Sequence, residues 1–307
     1  IRDRSPSRGL GDVYKRQKKE CDYMFTVFTP TYNRKETLTR LYNSLICQND
    51  PELVWLVIDD GSSDDTEKLI NKFKKEKKII IEYIFKENGG KMSAVNIAHQ
   101  KCHTKYMITI DSDDMMNEGF IDRIKKDIQY VENEKDIAGI VYLASNTNGN
   151  VVGSKLPPDK TICKFYDIYN KYKCSGDKCI VWKSDVLKNY SYPLIDNEKF
   201  VPDGYLMLQI SKDYSVMTMN YVGTIVEYLD SGYSNNYFEL VKRNPKGTML
   251  YYRELYNIDK SLYNIYCYLL FGIYAKVKFS KLLSDHPAKI WIVIMYPCVL
   301  ILSKIRK

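Results

Sequence analysis

Several things that would settle the class of this 307-residue chain at a glance are missing or scarce. Its eight cysteines (Cys21, Cys47, Cys102, Cys163, Cys174, Cys179, Cys267 and Cys298) are scattered. Only Cys174 and Cys179 lie close together, and no second pair completes a zinc site, so the pattern reads as reduced cytosolic thiols. Of three histidines, His99 and His103 stand four apart, but no third ligand follows and they read as structural. The formal charge of +8 is moderate, and Lys is interspersed with Asp and Glu through the first half. There is no concentrated basic stripe, and no nucleic-acid partner is expected. A signal peptide's apolar core is lacking too. Residues 1–17 form a Ser/Arg/Gly-rich stretch without periodicity that resembles translated adaptor sequence. Residues 1–23 are therefore expected to be a non-native or disordered leader, with the working start near Met24 and the catalytic part facing the cytosol. Long hydrophobic runs are scarce. The most apolar, Ile290 to Leu302, is interrupted by Pro297 and falls short of the roughly 20 apolar residues of a membrane span.

What the chain does have is four short segments in its first half: Thr29-Pro30-Thr31-Tyr32-Asn33-Arg34, Asp59-Asp60-Gly61-Ser62-Ser63-Asp64, Asn88-Gly89-Gly90-Lys91 and Asp111-Ser112-Asp113-Asp114. Three directly follow apolar, β-branched runs that read as buried strands: Phe25 to Phe28, Val54 to Ile58 and Tyr106 to Ile110. The Gly-Gly segment lies just past another, Ile79 to Ile84. Each leads into a helical pattern, as in Leu38, Leu41, Tyr42 and Leu45, or Ile121, Ile124 and Ile128. Asn33 with Glu36, and Asp64 with Glu67, have the spacing of helix caps. Repeated strand–loop–helix units predict an α/β fold with a mostly parallel sheet, whose ligands bind at the carboxyl ends of the strands. After the strand Ile137 to Leu143 the alternation lapses into longer loops, and from about Asn236 the chain turns Tyr-rich and helical.

The four loops are rich in carboxylates. Asp111, Asp113 and Asp114 sit where a buried strand emerges, and neighbouring carboxylates repel unless a cation shares them. A hard ion such as Mg²⁺ or Mn²⁺, held by one or two carboxylates plus substrate phosphates, answers this. A calcium EF-hand does not fit, because the sixth position from Asp111 is Met116 and the twelfth is Asp122. Asp59 and Asp60 can accept hydrogen bonds from a base or ribose, and Tyr32 can stack on a ring. Gly90 lets backbone approach a diphosphate, with Lys91 and a helix N-terminus supplying positive charge. Together the loops describe a nucleotide-diphosphate pocket with a metal.

In this order and spacing, Pro-Thr-Tyr-Asn-Arg, Asp-Asp-Gly-Ser-Ser-Asp and Asp-Ser-Asp-Asp resemble the family 2 glycosyltransferases of the GT-A fold, over roughly Met24 to Asp230. The resemblance implies a GT-A Rossmann-like sheet and transfer of a sugar from a nucleotide-diphosphate donor with inversion. It implies that Thr31, Tyr32 and Arg34 line the nucleotide pocket and that Asp60 contacts the base, usually uracil. Asp111 would lie near the ribose or sugar, and Asp113 would ligate the metal. Thr29, Pro30, Asp59, Gly61, Gly90, Lys91 and Ser112 complete the expected donor site. The donor domain would span 24–235, with a nucleotide-binding half (24–115) and an acceptor half (116–235), followed by a helical region over 236–307.

Inverting transfer needs a general base opposite the leaving group. Family members place an acid at the start of a helix in the acceptor half, and Asp203 in Phe200-Val201-Pro202-Asp203 matches, although Glu is the more usual residue. Its plain alternative is a helix start stabilised by the helix dipole. Asp177, in Gly176-Asp177-Lys178, is the second candidate. Tyr228 to Ser234 is expected to form a lid over the donor phosphates. The acceptor is expected to be a glycan or lipid-linked glycan of surface polysaccharide synthesis, met at the inner membrane surface. Ile290 to Leu302, flanked by Lys289, Lys304, Arg306 and Lys307, suits either a helix in that interface or a core helix. Two rival functions share the fold class. A sugar nucleotidyltransferase would want glycines after the first strand, and a non-catalytic nucleotide-sugar-binding or scaffold protein should have lost Asp113 or Asp203.

Overall fold

The computed structural model describes residues 24–227 and 237–305. Strands β1 (Phe25–Thr31), β2 (Leu53–Asp59), β3 (Ile80–Phe85) and β4 (Tyr106–Thr109) pair in parallel in the order β3-β2-β1-β4. The crossovers are α1 (Lys35–Ile46), α2 (Thr66–Glu76) and α3 (Lys91–Lys101). Every residue of β1 and β2 is buried, as near-continuous apolar runs covered on both faces require. Alternation along the strands feeds two cores. Phe25, Val27, Trp55 and Val57 pack on α1 and α2, while Phe28, Leu56 and Ile58 pack on α3. Each fully buried Leu, Ile or Phe contributes about 1.5–3 kcal/mol. Tyr42 of α1 stacks on Phe73 of α2 at a centroid separation of 4.0 Å and fastens both helices over Trp55.

The sheet continues through residues that the alternation did not order. A two-residue β5 (Met115–Met116) follows β4, then α4 (Phe120–Asp127), β6 (Ile137–Asn146), β7 (Ile162–Cys163), α5 (Phe165–Asn170), β8 (Lys178–Lys183), α6 (Ser184–Leu187), α7 (Gly204–Asp213) and β9 (Ser215–Val226). β8 enters antiparallel between β4 and β6, β6 and β9 run parallel, and β5 and β7 each pair antiparallel to β9. The fold is the expected α/β architecture. Helices α8 (Tyr237–Arg243), α9 (Pro245–Asp259), α10 (Leu262–Tyr274), α11 (Phe279–Ser284) and α12 (Lys289–Ile305) follow. Their buried Met249, Ile265, Leu269, Leu282 and Ile292 join the core on the α3 face of the sheet.

Three local expectations shift. β1 runs past Phe28 through Thr31, with Pro30 beside Ile58; the Pro30 nitrogen is on the β4 side, where that strand has already ended at Thr109, so no ladder bond is lost. Asn33 does not cap α1: its φ is +51° and the helix begins at Lys35. The Asn33 amide oxygen accepts from the Ser63 backbone instead, and the Lys35 N–H donates to Asp64, so the second loop caps the helix that follows the first. At α2 the cap position falls on Asp65, while Asp64 accepts from both the backbone N–H and the hydroxyl of Thr66. His99 is buried against the Tyr190 carbonyl as a structural histidine. The expected lid, Tyr228 to Ser234, lies outside the described residues.

Candidate active site

The four loops meet at the carboxyl ends of β1 to β4, as parallel topology dictates. The first two are locked together through backbone. The Asp60 N–H donates to the Thr31 carbonyl at 2.8 Å, and the Asp59 carboxylate accepts from the Ser62 N–H at 2.7 Å and the Tyr83 hydroxyl at 2.8 Å. Asp60 holds the Gly-Gly loop: its two oxygens accept from the Gly89 N–H at 2.9 Å and the Gly90 N–H at 2.8 Å, and Lys86 pairs with the first. Gly61 and Gly90 have φ near +90°, and a Cβ on Gly90 would collide with the Lys199 carbonyl, so this approach needs glycine. Thr29 is spent inside the fold, where its hydroxyl accepts from Trp55 Nε1. Pro30 and Ser112 are buried, Tyr32 is half exposed on its loop, and the buried Thr31 hydroxyl has no hydrogen-bond partner among the described residues.

The third and fourth loops carry a different kind of electrostatics. Lys91 opens α3 and points its ammonium at Asp111 Oδ2, 2.8 Å away, with Asp203 Oδ1 at 4.0 Å. Burial opposes that charge, but the two carboxylates hold its pKa well above the ordinary lysine value. Arg34 lies 3.9 Å from Asp113. Asp113 is raised by burial and by Asp111, and Asp114 is pushed up to about 8 by burial and by both neighbouring aspartates. Asp111 Oδ1 is buried without a hydrogen-bond partner among the described residues. These carboxylates are short of positive charge. Among the described residues no three His, Cys, Asp or Glu are gathered into a ready ligand shell. The donor set therefore suits a hard cation that completes its coordination with substrate oxygens.

Lys91, Asp111 and Asp114 form one wall of a cavity of about 520 Å³, and Asp177 and Asp203 face it. Asp203 occupies the N-cap position of α7, yet its side chain makes no cap hydrogen bond. Its side chain is 58% exposed, in a recess of the protein rather than in the core. Burial raises its pKa against the pull of Lys91, with Asp111 and Asp177 adding to the rise. Its backbone carbonyl accepts from the Tyr192 hydroxyl at 2.8 Å, which fixes the turn. Of the expected donor residues only Lys91 and Asp111 line this cavity; Asp113 and Arg34, 3.9 Å from each other, do not.

The rest of the lining sets six rings among aliphatic side chains: Phe165, Tyr166 and Tyr169 from α5, Trp182 from β8, Tyr192, and Tyr251 from α9. Sequence reading missed these, because six rings spread over 87 positions have no spacing in common. It also missed Arg40 of α1, which pairs with Glu227 and donates to the Asp113 carbonyl, tying the acidic loop to the end of β9. An Arg on the polar side of an amphipathic helix gives no such signal.

The sequence profile described as "Glycosyl transferase family 2" matches residues 26–187, just over half of the chain. Among curated proteins, the chain is 26% identical over 233 residues to the Escherichia coli protein WfgD, a UDP-Glc:alpha-D-GlcNAc-diphosphoundecaprenol beta-1,3-glucosyltransferase, covering 72% of this chain and 84% of that one. It is 29% identical over 183 residues to the Staphylococcus aureus poly(ribitol-phosphate) beta-N-acetylglucosaminyltransferase TarS, covering 52% of this chain and 32% of TarS. The chain thus spans only about a third of several relatives' length. In three dimensions it resembles TarS 1–349 in complex with UDP-GlcNAc, with a TM-score of 0.61 at 19% identity over 85% of this chain and 78% of that one. It also resembles the mannosyltransferase PcManGT from Pyrobaculum calidifontis, solved with GDP-Man and Mn²⁺, with a TM-score of 0.54 at 16% identity over 96% and 82%. With the family profile seated on the strands and loops that build the acidic end of the sheet, the chain belongs to glycosyl transferase family 2.

Proposed function

We propose that this protein is an inverting hexosyltransferase. It would move a sugar from a nucleotide-diphosphate donor, UDP-linked, to a glycan or lipid-linked acceptor of surface polysaccharide synthesis, peripherally at the cytosolic face of the cell membrane. The observation that carries the reading is the cavity lined by Asp111, Lys91 and Asp203, in which Lys91 stands between the two carboxylates. The acceptor hydroxyl gives its proton to the Asp203 carboxylate as its oxygen bonds to the anomeric carbon; the bond from that carbon to the diphosphate oxygen breaks, and the nucleoside diphosphate leaves. A carboxylate whose pKa is raised is the stronger base for this step. Lys91, fixed between the two carboxylates, orients Asp203 and sets positive charge beside the leaving group. The aromatic walls hold sugar rings and limit water. Asp113, with Asp111, would hold Mg²⁺ or Mn²⁺, which would neutralise the diphosphate as charge develops on it. Tyr32 and Arg34 would serve the nucleotide, with Asp60 holding together the loops that frame it.

Support comes from the relatives, since TarS has been solved with UDP-GlcNAc and WfgD is named for a UDP-Glc donor. Calorimetric titration of UDP with and without Mn²⁺ tests the donor half. Binding should require the ion and should vanish in Asp113→Ala. Equal UDP affinity in that variant would remove Asp113 from the metal site.

A further inference from the structure

Helix α12 is apolar all round but covered on one side only. Ile292, Val299 and Ser303 are buried, and the helix packs on α10 and α11. Residues Ile290, Trp291, Val293, Ile294, Ile301 and Leu302 are exposed, Ile290 at 74% and Ile301 at 61%. At 100° per residue these six fall within one half of the helical wheel, and exposed Pro297, Cys298 and Ile305 lie in the same half. The result is a continuous apolar ridge about 25 Å long, far from the scattered exposed residues of an ordinary surface. No described helix is long and apolar enough to cross a membrane, so whatever covers this ridge meets it side-on.

Charge points to the occupant. Residues 236–307 hold twelve Lys and Arg against four Asp and Glu, so the whole formal excess of +8 lies in this quarter of the chain and the rest is balanced. Lys276, Lys278, Lys281, Lys289 and Lys304 are exposed on and beside α12. A second copy would bring this excess against itself. An anionic bilayer offers both the opposite charge and an apolar interior.

We propose that the outward half of α12 lies in the plane of an anionic lipid interface, with its flanking lysines among the headgroups. The docking itself shares with the transferase reading only the expectation of a membrane surface. One corollary rests on that reading. α9 brings Tyr251 and Leu255 to the cavity and packs on α10, which carries α12. Docking would therefore hold the cavity two helices from the lipid, within reach of an acceptor anchored there.

The protein carries its own reporter. Trp55 and Trp182 are buried, whereas Trp291 lies on the ridge. The test is sedimentation of the full chain with vesicles of phosphatidylcholine, with and without phosphatidylglycerol, alongside tryptophan emission and quenching by brominated lipid. Binding should need phosphatidylglycerol, weaken as salt shortens the Debye length, and blue-shift the emission. Trp291→Phe should lose the shift and the quenching yet still sediment. Ile294→Glu with Ile301→Glu should lower vesicle affinity by at least about tenfold, with an unchanged melting temperature showing that the fold survives. Sedimentation unaffected by the double substitution would overturn the proposal. So would light scattering that finds a dimer in wild type and a monomer in the variant without vesicles, since a second copy would then cover the ridge. No nucleotide enters the measurement, so vesicle binding is decided whether or not the protein transfers a sugar.

Discussion

Asp59, Asp60 and Asp64 on one side, and Asp111, Asp113, Asp114 and Asp203 on the other, are the same residue type at the same end of one sheet. They are used in opposite ways. The first three carboxylates are filled by the chain's own donors: Ser62 and Tyr83 on Asp59, Gly89, Gly90 and Lys86 on Asp60, Lys35 and Thr66 on Asp64. They assemble the loops. The second set is under-supplied. Lys91 is shared between Asp111 and Asp203, one oxygen of Asp111 has no hydrogen-bond partner among the described residues, and burial, then neighbouring aspartates, lift the pKa of Asp113 and Asp114. Saturated carboxylates build; carboxylates left short of positive charge are available to a substrate or an ion. Motif spelling does not separate the two, because Asp-Asp-Gly-Ser and Asp-Ser-Asp-Asp are equally acidic.

Substitutions should pull the two sets apart. Asp203→Asn removes the proposed base while leaving Lys91 with Asp111, so sugar transfer should fall by about 10²–10⁴-fold at unchanged melting temperature. Near-normal transfer would pass the role to Asp177 or to neither. Asp60→Ala should do the reverse and act first on stability. It strands two backbone N–H groups and a lysine, and losing one partner of a buried pair costs about 3–5 kcal/mol, measurable by urea unfolding. Wild-type stability with lost UDP binding would move Asp60 into the ligand-facing set and erase the distinction at its clearest point.

The parts of the site legible in the sequence are those that follow from local pattern. A buried run ending in Asp or Thr-Pro is a strand whose loop faces the ligand end, which places three of the four loops; the Gly-Gly loop follows a less buried strand that ends in neither. Parallel β1 to β4 needed nothing more. The antiparallel entry of β8 was not legible, because Cys179-Ile180-Val181-Trp182 is equally apolar in either direction. The true cap of α1 was not legible either, since Asp64 lies 29 residues from the N–H it accepts. Asp203 sits between these cases. Its position before a helix could be read, but only the structure shows that its side chain makes no cap hydrogen bond and faces Lys91 instead. The aromatic walls come from α5, β8 and α9 and become one surface only after folding.

An under-supplied polar atom does not by itself make a site, and His286 shows the limit. It is 1% exposed in the helical region, between Tyr256 and Tyr268 with ring centroids at 4.7 and 4.6 Å. Nδ1 accepts from the Ala288 N–H, so the neutral ring carries its proton on Nε2, which has no hydrogen-bond partner among the described residues. No described cavity reaches it. Burial, then the nearby Arg253 and Lys260, bring its pKa down from 6.5 to about 4. With the folded value depressed, the unfolded chain binds the extra proton between these two pH values. Stability is therefore full above about pH 6.5 and declines as pH falls toward 4, by roughly 2–3 kcal/mol. Urea unfolding between pH 7.5 and 4.5 should show this slope in wild type and a flatter one in His286→Phe, where a ring of similar size packs against the same tyrosines without titrating. Equal slopes would mean that His286 already finds a proton partner in the fold. The remaining pH dependence would then come from carboxylates, those of the cavity together with Glu254 and Asp285 of the helical region, whose pKa values are lowered chiefly by Lys212 and Lys281 against burial.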